Sequence, residues 1–97
     1  MLPVNMVKYQ CGSYAMDERR LDLLETVIVT IDLPDEDVLA GDLGAVVEVY
    51  TSPELAYEVE FVNPDGTTRA LLTIGPGDVR SLAANDVLTT RQVAFAD

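Results

Sequence analysis

Residues Ala56-Tyr57-Glu58-Val59-Glu60-Phe61-Val62 alternate apolar and charged side chains and run directly into Asn63-Pro64-Asp65-Gly66. A period of two belongs to a β-strand with one face buried, so Tyr57, Val59 and Phe61 are expected on a core and Glu58 and Glu60 in water. Pro64 pre-sets its own φ and Gly66 is free to take a positive one, which makes the tetrapeptide a hairpin turn. The chain is therefore expected to return antiparallel over Thr67–Ile74.

The rest of the chain is punctuated in the same way. Leu24–Ile31 is rich in β-branched residues and reads as a first strand, broken by Asp32-Leu33-Pro34-Asp35-Glu36-Asp37. Gly41-Asp42-Leu43-Gly44 reads as a turn that releases a second strand, Ala45–Tyr50, which ends at Ser52-Pro53. After Gly75-Pro76-Gly77-Asp78 the pattern predicts one 3₁₀ turn over Asp78–Arg80 and a short closing strand near Ser81-Leu82. Five short strands at roughly ten-residue spacing predict an all-β fold, a small five-stranded antiparallel barrel. The long link after the first strand and the single turn before the fifth are SH3-like features. Residues 21–82 are expected to form this domain, with extensions over 1–20 and 83–97. Asp17–Leu24 has the spacing for one or two helical turns with Leu21 and Leu24 on one side, and Val93–Ala96 for an added edge strand. With 97 residues the chain is expected to be one domain.

Charge is the most uneven property of the sequence. The formal net charge is −11, and between Leu21 and Thr68 there is no Lys or Arg. Such a stretch repels phosphate backbones and anionic lipid surfaces, so neither nucleic acid nor membrane is an expected partner. A basic protein surface is the partner it would attract. The chain has no apolar run of membrane-spanning length, its first residues lack signal-peptide order, and its lone Cys11 cannot form an internal disulfide; the expected location is cytoplasmic.

The inventory for chemistry is thin. Without His, nucleophile–base pairs of the Ser/His or Cys/His kind cannot be built, and no catalytic residue is expected. Glu58 and Glu60 lie about 7 Å apart on one strand face, a spacing that any solvated strand face displays. Asp32, Asp35, Glu36 and Asp37 supply oxygen ligands, yet their spacing is not that of an EF-hand, so a solvated acidic loop is expected and no metal or cofactor.

The ordered segments Leu24–Thr30, Asp32-Leu33-Pro34, Ala40–Tyr50, Ala56–Val62 and Ala70–Ile74 resemble those of DUF4926, a family of small bacterial proteins. The resemblance implies an SH3-like barrel. It also implies a gene placed beside that of another small protein, the layout of a toxin–antitoxin or immunity pair. Members begin near the position of Leu21 and end soon after that of Leu82, which makes Met16 a candidate start. The pair Gly41 and Gly44 is also similar to the KOW-type turn of RNA-associated barrels, but lacks the basic neighbours that contact RNA.

Charge and resemblance together suggest an acidic interaction module, antitoxin- or immunity-like, that neutralises a basic protein. The alternative is an adaptor barrel docked on a larger enzyme. Glu48, Tyr50, Glu58 and Glu60 are the expected partner-binding residues. Tyr57 is expected in the core with its hydroxyl at the rim, and Tyr50 either in the core or lining a peptide groove.

Overall fold

The computed structural model describes residues 20–93. Five strands follow one another: β1 (Thr26–Val29), β2 (Leu43–Tyr50), β3 (Ala56–Val62), β4 (Thr68–Ile74) and β5 (Val79–Ser81). All neighbours are antiparallel, in the order β4-β3-β2-β1-β5. The fold is the all-β, five-stranded antiparallel one that the sequence predicts.

The sheet has to curl. Its edge strands β4 and β5 would stand about 19 Å apart in a flat sheet at ~4.8 Å per strand. Yet they are joined only by Gly75 and a 3₁₀ turn, Pro76–Asp78, which advances ~2 Å per residue. Rolling brings Ile74 of β4 and Val79 of β5 into one core with Val27, Val29, Val38, Val46, Tyr57, Val59 and Phe61. No ladder joins β4 to β5, so the barrel is open along that seam.

β3 shows the expected alternation. Tyr57, Val59 and Phe61 are buried, and each such side chain contributes ~1.5–3 kcal/mol by leaving water. The Tyr57 hydroxyl accepts a hydrogen bond from the Leu21 backbone N–H at 3.0 Å, at the edge of the core where Leu21 is itself buried. The hairpin turn also forms as predicted, with Gly66 at φ 92° and Asp65 accepting from the Thr67 N–H at 3.0 Å.

Several boundaries differ from the sequence reading. β1 is shorter, because Leu24 takes φ 67° at one end and, at the other, Thr30 still donates in register to the Asp78 carbonyl but the Asp78 N–H turns to the Gly75 carbonyl, so the ladder with β5 stops there. The expected helical turns do not form over residues 20–24; Leu24 is exposed and only Leu21 is buried. Residues 17–19 of that reading, along with Cys11, Met16 and residues 94–96 of the proposed edge strand, lie outside the described residues. The 3₁₀ turn starts at Pro76, whose fixed φ suits its first position, so β5 begins at Val79 and ends at Ser81.

Gly44 is the clearest difference. Gly41 does sit in a turn at φ 97°, but Gly44 is inside β2. A Cβ there would meet Val59 Cγ1 at 2.6 Å and both the Glu60 carbonyl oxygen and Phe61 Cε1 at 3.0 Å. Close approach of β3, not turning, is what requires glycine at this position.

Candidate functional site

β2, β3 and β4 put one face toward the core and the other outward. Register places Glu48 directly opposite Glu58, Tyr50 opposite Ala56, and Glu60 opposite Leu71. The extra residue Val47, at the irregularity between Val46 and Glu48, returns Glu48 to the outer face. All four sequence-predicted binding residues thus share one surface. Leu71 and Val62 lie on it too, 53 % and 51 % exposed.

Glu58 and Glu60 are half-buried and not simply immersed in water. Glu58 Oε1 accepts from Thr73 Oγ1 at 2.7 Å, and Glu60 Oε2 from Thr68 Oγ1 at 2.5 Å. Tyr50 is 41 % exposed, so it belongs to this surface and not to the core. The Glu58 charge, slight burial and the Glu48 charge hold its phenol above the ordinary tyrosine range. None of the three glutamates forms a salt bridge among the described residues. Like charges directly opposite on a sheet repel, so the Glu48–Glu58 pair costs stability as it stands.

Three of the described arginines are committed elsewhere. Arg80 forms a two-pronged pair with Asp86, at 2.9 Å on each side, which pulls that carboxyl down to about 2. Arg69 and Arg91 converge on Asp42, whose side chain is 12 % exposed. Arg91 reaches it through Nε at 2.9 Å and Nη2 at 2.6 Å, and both arginines also donate to the Asp37 backbone carbonyl. This cluster pins the segment after β5 across the start of β2 and walls a cavity of about 440 Å³ lined by Leu43, Val62, Pro64, Thr90 and Val93. Nothing in the sequence pairs Asp42 with Arg91, because they are 49 residues apart and the spacing of neither belongs to a motif.

Burial alone would raise the Asp42 carboxyl, but the Arg91 hydrogen bond, the Leu39 N–H and the two guanidinium charges outweigh it, and the net shift is downward. A depressed carboxyl stabilises the fold fully above its unfolded value near 3.8 and loses that contribution as pH falls through the lower folded value. Arg91→Gln should bring the folded value back toward the unfolded one. The stability lost on acidification below about pH 4 is then expected to be smaller in the variant than in wild type. Urea titrations at stepped pH, with side-chain carboxyl NMR for Asp42, measure both quantities; an identical pH slope would show that Arg91 does not control this carboxyl.

The acidic link shows no metal arrangement: Asp32 Oδ1 accepts from the Ala40 N–H at 2.9 Å, and no group of three or more potential ligands gathers among the described residues. No helix among them is long and apolar enough to cross a membrane. The model of a domain of unknown function, DUF4926, matches residues 23–81, well over half of the chain. The chain belongs to the DUF4926 family. The match covers all five strands of the DUF4926 domain and stops short of the segment that carries Asp86 and Arg91. Neither curated proteins nor solved structures give a match to the chain.

Proposed function

We propose that this DUF4926 protein is an acidic interaction module whose β2–β3–β4 outer face docks and neutralises a basic protein partner, in the manner of an antitoxin or immunity protein. The observation that carries the reading is the opposition of Glu48 and Glu58 with no salt bridge to either among the described residues, while Arg69, Arg80 and Arg91 are each engaged by other carboxylates. A partner's Lys or Arg would relieve a repulsion the free protein bears, so binding gains more there than at an isolated surface carboxylate. Tyr50 and Leu71 add apolar contact area beside the charges.

The test begins with capture of the partner from the native host and its identification by mass spectrometry. Association of wild type and of a Glu58→Lys, Glu60→Lys double variant is then followed at low and high salt. Wild-type association is expected to be fast at low salt and to slow as screening shortens the reach of charge to about 8 Å. The double variant should associate at least about tenfold more slowly at low salt, with an unchanged circular dichroism spectrum. Equal on-rates would remove this face as the interface. Recovery of no basic partner would favour the adaptor reading, in which the domain docks on a larger enzyme and its acidity is incidental.

A further inference from the structure

β4 pairs with β3 on one side and with no described residue on the other. Exposed edges are ordinarily guarded by lysine, proline, inward-pointing charge or a β-bulge; the one irregularity of β4 is at Arg69, and Ala70–Ile74 keep regular register. The sequence of β4, Thr-Arg-Ala-Leu-Leu-Thr-Ile, has neither proline nor carboxylate. Its one charge, Arg69, is folded back onto the Val62 and Asp37 carbonyls and the Asp42 carboxylate. A second feature bears on what fits there. The carboxylates of Glu58 and Glu60 accept from the hydroxyls of Thr73 and Thr68 on β4, Glu58 Oε1 also taking the Tyr50 hydroxyl of β2 at 3.5 Å, so the negative charge of β3 lies one strand in from the open edge.

We propose that the outer edge of β4 takes up an extended strand of a basic protein by β-augmentation, a proposal that rests on the acidic-face reading and gives the partner its form. The register specifies that strand. Thr73, Leu71 and Thr68 follow one another on the outer face, because the irregularity opposite Phe61 and Val62 leaves Arg69 as an extra residue. An added strand therefore carries basic residues opposite Thr73 and Thr68 and an apolar residue opposite Leu71, the pattern basic–x–apolar–x–basic. Its long cationic side chains cross one strand to reach Glu58 and Glu60, about two strand spacings or ~10 Å away at the backbone. A second copy of this chain fits less well, since the glutamates of both copies would flank the same seam.

The experiment titrates the full chain with the acetylated, amidated peptide Thr-Lys-Thr-Val-Thr-Lys-Thr. Its controls are an analogue with aspartate for lysine and two versions N-methylated on alternate backbone amides, followed by amide NMR and hydrogen exchange. The lysine peptide is expected to bind about tenfold more tightly than the aspartate analogue. The amides of Thr68–Ile74 should gain protection, and one N-methylated version, not both, should lose binding. If both N-methylated versions bind as the parent does, the peptide lies on the face: edge pairing falls and the acidic-face reading stands. If lysine and aspartate peptides bind equally while one N-methylated version fails, edge pairing stands and the charge reading falls. Absence of binding by any peptide overturns edge pairing, as does a dimer of the chain alone in sedimentation with protected β4 amides.

Discussion

Phe61→Ala is expected to unfold the domain or bring it close to unfolding. The ring is fully buried near the end of β3, opposite Ala70 and against the gap left by Gly44. Removing it forfeits the transfer of a large aromatic side chain out of water and leaves a cavity, together about 3–5 kcal/mol. Small domains have total stabilities of about 5–15 kcal/mol, and this one has a short core built largely of valines. Chemical denaturation followed by circular dichroism measures the loss. An unchanged midpoint would mean that the strand register is displaced by one residue, with Phe61 on the outer face.

Gly44→Ala is expected to cost about 2–3 kcal/mol, a large penalty for a single methyl group. The added carbon would fall 2.6 Å from Val59 Cγ1, and the carbonyl of Glu60 at 3.0 Å leaves the backbone no simple way to give. Gly41→Ala is the comparison, because the two glycines stand three residues apart and are needed for different reasons. At Gly41 nothing lies within 4 Å, but φ is 97°, so only the backbone conformation is penalised and the cost should be near 1 kcal/mol. Removing the obstructing methyls by Val59→Ala should make the Gly44 substitution cheaper than in wild type, the non-additivity expected of touching residues. Independent, additive costs would place the Gly44 penalty in the backbone and not in its contact with β3.

The features legible in the sequence were those set by near neighbours in the chain. The alternation of Tyr57, Val59 and Phe61 with Glu58 and Glu60, and the turn at Asn63–Gly66, depend on residues within a few positions of one another. Periodicity and turn chemistry are therefore enough to infer the hairpin, the number of strands and the fold class. Boundaries were less legible, since Leu24, Thr30 and Pro76 end or begin elements through bonds and angles that composition does not report.

The candidate site divides along the same line. That Glu58 and Glu60 share a face follows from the strand period, and the anionic character of residues 21–68 follows from counting charges. That Glu48 stands opposite Glu58, that the two β3 carboxylates accept from the hydroxyls of β4, and that Arg91 reaches back to Asp42 were decided by the tertiary structure. Each depends on the pairing register, on the extra residue at Val47, or on the curl that lets the chain after β5 cross the start of β2. Local rules do not set these, because a contact between residues ten or fifty positions apart forms only when the whole sheet has closed around one core.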